Sequence, residues 1–163
     1  MRAVATLGGV GYLPYAPGTW GSAVAVPLGL AIHAVAGFWG LAVAALAAFA
    51  LGWWSVVVMT RGLADHDLSE IVIDELLGIW IALLPLSYGL WAAGSDAVLA
   101  AWPGWIAAFV LFRLFDIWKP GPIGWADKRT DPLGVMLDDA IAGVFAAILV
   151  AALALAWPGA LGF

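Results

Sequence analysis

I-V-I-D-E-L-L-G-I-W-I-A-L-L-P-L (Ile71–Leu86) and V-M-L-D-D-A-I-A-G-V-F-A-A-I-L-V-A-A-L-A-L-A (Val135–Ala156) each set two adjacent acids at the mouth of a long apolar run. The pairs are Asp74-Glu75 and Asp138-Asp139. Both runs are rich in Ala and Leu and lack the alternation of a barrel strand, so they read as helices. A helix needs about 20 residues to cross about 30 Å of hydrocarbon. A carboxylate inside that phase costs roughly 2.5 kcal/mol or more on insertion scales. Charges held at such a boundary are charges in use. The chain reads as an all-α, polytopic membrane helix bundle with an acidic site at the water boundary.

Composition supports this. The chain has 163 residues, of which 65% are hydrophobic and 10% charged, and a mean hydropathy of +1.04. Soluble domains carry about 25% charged residues. Ala3 through Thr60 contain no charge at all. No cleavable signal peptide stands apart from the rest, and one domain over 1–163 is expected at this length. Cysteine is absent, which excludes disulfides, thiolate metal sites and cysteine nucleophiles. A net charge of −5 argues against nucleic acid as a partner. Eleven tryptophans suit a membrane interface.

Five apolar segments can be drawn, at about 21–36, 38–60, 71–90, 98–115 and 135–157. The first is short and carries Pro27, and the fourth carries Pro103-Gly104, so four to five membrane-embedded helices are expected. Alternating crossings put the N-terminus and the loops 61–70 and 116–134 on one side. The turn at Gly37 and the loop 91–97 fall on the other. All six basic residues (Arg2, Arg61, Arg113, Lys119, Lys128, Arg129) lie on or near the first side, while the second has only Asp96. The positive-inside rule makes the first side cytoplasmic. That side also collects G-G-V-G-Y-L-P-Y-A-P-G-T-W-G-S (Gly8–Ser22), A-D-H-D (Ala64–Asp67), both acidic pairs and F-R-L-F-D-I-W-K-P-G-P (Phe112–Pro122).

Hard cations such as Mg²⁺ take carboxylates, waters and substrate phosphates as ligands. Asp74, Glu75, Asp138 and Asp139, with Asp67 and Asp116 nearby in the reading, supply more carboxylates than one ion needs. The plainer alternative is that acids near a helix start complement its dipole. Asp67 with Glu70 fits that alternative as a capping-box variant. The two acidic pairs echo one another: an Asp, a second acid, then Gly three or four positions on. Arg113, Asp116 and Lys119 recur at i, i+3 and i+6, either as a phosphate clamp or as a salt-bridge ladder of snorkelling side chains. In A-P-G-T-W-G-S a helix starts with Thr19 or Ser22 as cap, and its N–H groups can hold an anion. His66 is either an acid–base group or a surface histidine; His33 reads as a helix-packing residue.

Taken together, A-P-G-T-W-G-S (Ala16–Ser22), H-D-L-S-E-I-V-I-D-E-L-L-G (His66–Gly78), F-R-L-F-D-I-W-K-P-G-P-I (Phe112–Ile123) and L-G-V-M-L-D-D-A-I-A-G (Leu133–Gly143) resemble the phosphatidylglycerophosphatase A family. The resemblance runs from about Gly8 to Ala147 in the family's order and spacing. It implies a bacterial inner-membrane, Mg²⁺-dependent lipid phosphatase that converts phosphatidylglycerophosphate to phosphatidylglycerol. It implies active-site roles for Asp67, Asp74, Glu75, Arg113, Asp116, Lys119, Asp138 and Asp139, with Thr19 in the N-terminal loop. One departure is Asp131-Pro132, which stands where the family pattern reads Gly-Gly. The expected division of labour has Asp74, Glu75, Asp138 and Asp139 on Mg²⁺. Arg113 and Lys119, with Thr19, meet the phosphate, and His66, Asp67 and Asp116 join the chemistry. Attack by water and an aspartyl-phosphate intermediate both fit these residues, and a homo-oligomer is left open.

Two other classes fit the residues less well. CDP-alcohol phosphotransferases carry an extended D-x-x-D-G-x-x-A-R pattern, which is missing here. A small ion transporter or channel subunit would use intramembrane acids as a relay, and those belong near helix middles rather than at one face.

Overall fold

The computed structural model describes residues 1–63, 66–95, 98–157, 159 and 161. Ala64 and Asp65 of the A-D-H-D segment, and Asp96, lie outside the described residues. The order of elements is α1 (Arg2–Ala5), a 3₁₀ segment (Leu7–Tyr12), α2 (Pro17–Met59), α3 (Ile73–Ala92), α4 (Trp102–Trp118), α5 (Pro122–Asp127) and α6 (Pro132–Ala156). No strand occurs among the described residues. Proline opens α2, α4, α5 and α6 at the first or second helical position, where its missing N–H costs nothing.

α2 is two helices joined at one residue. Gly37 has φ 62° and ψ −159°, a conformation open almost only to glycine. A Cβ added at Gly21 would fall 2.8 Å from the Val72 side chain, one at Gly29 would meet Trp80 and Leu83, and one at Gly37 would meet Trp91. The first half therefore climbs the full length of α3. Gly52 then lies beside Ile73 again, and against Met136. The chain has reversed, and the second half descends to the end where α3 begins. The turn expected at Gly37 is present, and the first segment is a helix in spite of Pro27.

α3 is the centre of the bundle. Leu76, Leu77, Ile79, Leu83, Leu86 and Leu90 are fully or almost fully buried, while Val35, Leu46, Ile148 and Leu155 face outward. A chain that is apolar on the outside as well as within suits hydrocarbon as its solvent. Among the described residues, three helices are long and apolar enough to cross a membrane: Pro17–Met59, Ile73–Ala92 and Pro132–Ala156. α4 has 17 residues, roughly 25 Å at 1.5 Å per residue.

Several local expectations are corrected. α2 is capped by Ala16 with no side-chain hydrogen bond, so neither Thr19 nor Ser22 is its cap. α3 starts at Ile73, beyond the Asp67–Glu70 pair, so the capping box does not form there. Asp74 and Glu75 occupy the first turn of α3. Asp131 is the residue before α6 and Pro132 its first. The departure from Gly-Gly thus makes a helix start.

Candidate active site

The starts of α2, α3 and α6 and the end of α4 meet at one end of the bundle, around a cavity of about 240 Å³. Its walls include Gly18, Asp67, Asp74, Glu75, Asp116, Lys119, Asp127, Asp138 and Asp139. Asp74, Asp138 and Asp139 are buried. One carboxylate oxygen from each of Glu75, Asp116 and Asp139 lies within 4.8 Å of the others. Of the four acids expected to hold metal, Glu75 and Asp139 enter this group, and Asp116 from α4 completes it. Asp138, one position along from Asp139, faces Lys119 instead, with Nζ to Oδ2 at 2.9 Å. Asp74 accepts a hydrogen bond from the Glu75 backbone N–H at 2.9 Å.

Arg113 binds the group together. Its Nη1 donates to Glu75 Oε2 at 2.6 Å and pairs with Asp116 Oδ2 at 2.8 Å, while Nη2 donates to Thr19 Oγ1 at 3.3 Å. Ser22 Oγ donates to the same Glu75 oxygen at 2.6 Å. Gly18 makes room for that carboxylate, because a Cβ there would sit 2.0 Å from Glu75 Oε1. The i, i+3 ladder ends at Asp116. Lys119 terminates α4 in the left-handed region, at φ 48° and ψ 51°, and turns to Asp127 and Asp138. A non-glycine residue there carries strain of about 1 kcal/mol or more. Burial opposes the Lys119 charge, and the hydrogen bonds it donates to Asp127 and Asp138 outweigh it, so its ammonium is held above the ordinary lysine range.

His66 does not line this cavity. Its Nδ1 is hydrogen-bonded to Thr60 Oγ1, and it faces an adjoining cavity with Asp67, Asp127, Lys128 and Arg129. Asp67 borders both cavities. In the same region Arg129 grips Asp131 with two hydrogen bonds, of 2.9 and 2.8 Å. The hydrogen bonds from Arg129 draw the exposed Asp131 carboxyl below its usual range. His33 is buried at the other end of the bundle against Ser87, with Nδ1 to Oγ at 2.7 Å, consistent with a packing role. Sequence reasoning missed Asp127, whose neighbours Lys128 and Arg129 mask it as part of a charged surface run. It also took Ser22 for a cap rather than a partner of Glu75.

Three carboxylates within 4.8 Å of one another repel by roughly 3 kcal/mol per pair at an effective dielectric of 20. Arg113 offsets part of this. The remaining excess of oxygen donors, with no nitrogen or sulfur among them, fits a hard divalent cation.

The phosphatidylglycerophosphatase A family model matches residues 3–154. The chain belongs to that family. It is 33% identical over 153 residues to phosphatidylglycerophosphatase A of Escherichia coli K12, covering 92% of this chain and 81% of the relative. It is 34% identical over 146 residues to phosphatidylglycerophosphatase A of Haemophilus influenzae, covering 89% and 83%. A Bacteroides thetaiotaomicron protein described as a proposed phosphatidylinositol-3-phosphatase is 36% identical over 148 residues, covering 88% and 86%. No solved structure matches the chain. Membership in the phosphatidylglycerophosphatase A family makes this a phosphatase, a phosphoric monoester hydrolase, and sets aside the transporter and phosphotransferase alternatives.

Proposed function

We propose that the protein is a Mg²⁺-dependent lipid phosphatase that releases the terminal phosphate of phosphatidylglycerophosphate, giving phosphatidylglycerol and inorganic phosphate for phospholipid biosynthesis. The observation that carries this reading is the grouping of Glu75, Asp116 and Asp139 beside Arg113, at one end of a membrane bundle belonging to this family. Relatives named for this activity lend the substrate.

Glu75, Asp116 and Asp139 would hold the cation. Bound there, Mg²⁺ supplies charge neutralisation for the phosphoryl oxygens and lowers the pKa of a coordinated water. Arg113 presents a planar fork at the same place, shared between Thr19 and the carboxylates, and can redirect N–H groups to a phosphate. Lys119, kept fully charged by Asp127 and Asp138, adds a second cation on the cavity wall. Asp67, on the cavity wall, would take a proton from the attacking water. His66 stands one residue away in the adjoining cavity, as a relay to solvent. The leaving group is the primary hydroxyl of the lipid headgroup, which requires that proton.

The orientation we propose follows the basic residues. All of them lie on or near the active-site end, which makes that end cytoplasmic in a bacterial inner membrane, with five crossings counting both halves of α2 and α4. The test is phosphate release from phosphatidylglycerophosphate by purified protein in detergent, with Mg²⁺, with EDTA and with Asp139→Asn. Metal-dependent release lost in the variant is expected. Release that survives both EDTA and the substitution would sink the reading.

A further inference from the structure

An apolar crevice of about 230 Å³ runs between the first half of α2 and α4, lined by Ala23, Val26, Trp105, Ile106 and Phe109. Its position relative to the polar site is set by helix geometry. Ala23 is four residues beyond Thr19 on α2, and Phe109 is four residues before Arg113 on α4. Both walls therefore reach the Arg113–Thr19 hydrogen bond after one helical turn, about 6 Å. The polar layer of a bilayer leaflet, between hydrocarbon and water, is of similar depth, roughly 5–8 Å. A phosphate at Arg113 and a hydrocarbon tail in the crevice are thus separated as the two ends of one phospholipid are.

A second apolar hollow, lined by Leu28, Ala31, Ile32, Val35, Ala36 and Trp80, lacks this relation. Ala31 lies twelve residues beyond Thr19, about 18 Å along the helix.

We infer that the α2–α4 crevice seats one acyl chain of the phosphate-bearing lipid, which reaches the carboxylate cavity sideways from the bilayer. The inference rests on the proposed lipid phosphatase activity and adds its route and its chain-binding site. Arg113 and Thr19 bridge the crevice at its polar head through a side-chain hydrogen bond, so the headgroup passes between α2 and α4 there. Such a site measures chain length independently of headgroup chemistry.

The experiment compares phosphatidylglycerophosphate carrying two oleoyl chains with the same lipid carrying two hexanoyl chains. For Ala23→Trp and Val26→Phe, the ratio of kcat/KM for long over short chains should fall at least tenfold. Ala31→Trp, in the other hollow, should leave that ratio at its wild-type value. A ratio within twofold of wild type in folded Ala23→Trp and Val26→Phe proteins would overturn the inference. Photocrosslinking decides the matter without turnover. A benzophenone amino acid at the exposed Ile106 should capture the dioleoyl lipid more than one at Leu28 does, with excess unlabelled phosphatidylglycerophosphate competing. Equal capture at the two positions would likewise overturn it. If the wild type released phosphate from neither lipid, the phosphatase reading would fail, and the crosslinking result alone would decide the crevice.

Discussion

Gly78 of α3 and Gly143 of α6 meet backbone to backbone: a Cβ on Gly143 would fall 2.4 Å from the Gly78 carbonyl oxygen. One on Gly78 would fall 2.8 Å from the Asp139 carbonyl oxygen and 2.2 Å from the Phe112 ring. Glu75 is three residues before Gly78 and Asp139 four before Gly143, so each acid sits one turn from the crossing on the same helix face. Close approach of the two backbones is what brings two carboxylates from different helices to one point. Small residues permit this at helix crossings in membranes generally.

Gly143→Ala should therefore damage activity out of proportion to its size. The new methyl meets backbone, which cannot rotate away, so α3 and α6 must separate. We expect a loss of about 1–3 kcal/mol in stability and at least a tenfold loss of phosphate release. Thermal unfolding in detergent and initial rates measure the two effects. Unchanged rates would mean that the carboxylate spacing does not depend on this crossing.

Asp116 and Asp138 should fail differently. Asp116→Asn removes one member of the carboxylate group, and should raise the Mg²⁺ concentration for half-maximal rate at least tenfold. Asp138→Asn loosens Lys119 and should lower kcat with little change in Mg²⁺ dependence. A Mg²⁺ titration of each variant at saturating lipid distinguishes them. Identical titration curves would contradict the separate roles.

Lys119→Met should leave Asp138 buried without its ion pair. Uncompensated buried charges cost several kcal/mol, and the half-exposed setting of Lys119 reduces this to about 1–2 kcal/mol. The pH dependence has a definite sign. Lys119 is raised by its partners, so its stabilising contribution is fully present below the ordinary lysine range and is lost as pH rises through the folded value. Wild-type unfolding temperature should show no loss from this pair between pH 7 and 9, and the gap to Lys119→Met should stay constant across that interval. A gap that closes within it would contradict the assignment.

Gly37→Ala is the counter-case. Its backbone conformation should cost of order 1–3 kcal/mol with any side chain present. Yet Gly37 lies beside Trp91, at the end of the bundle away from the carboxylates. The folded fraction should keep wild-type kcat. A fall in kcat that matches Gly143→Ala would show that the hairpin turn is felt across the whole bundle.

The reversal at Gly37 and the helical class were readable from apolar length, and the gathering of basic residues and acidic pairs toward one end was readable from the placement of the charges. What resisted reading was which acid of each pair points where. Neighbours on a helix differ by about 100° in direction, so Asp138 and Asp139 cannot face one target, and only packing decides that Asp139 joins Glu75 while Asp138 takes Lys119. Asp116 joined the group because Phe112, one turn earlier, is buried against Gly78, a tertiary fact with no local signature. The repeated spacing from acid to glycine was visible as an echo; its meaning as a helix crossing was not.

The Ala5 carbonyl accepts a hydrogen bond from the Val72 N–H at 2.9 Å, and Gly11 packs against the Glu70 carbonyl so closely that a Cβ would overlap it. This ties the order of assembly to the order of synthesis. Ala5 and Gly11 precede the α2 hairpin in the chain and cannot make these contacts until the hairpin and the loop before α3 have followed them. The contacts at Val72 and Glu70 therefore close late, once the loop that leads into α3 is in place. A bulky fusion ahead of Arg2 would burden that last step while leaving insertion of the helices untouched.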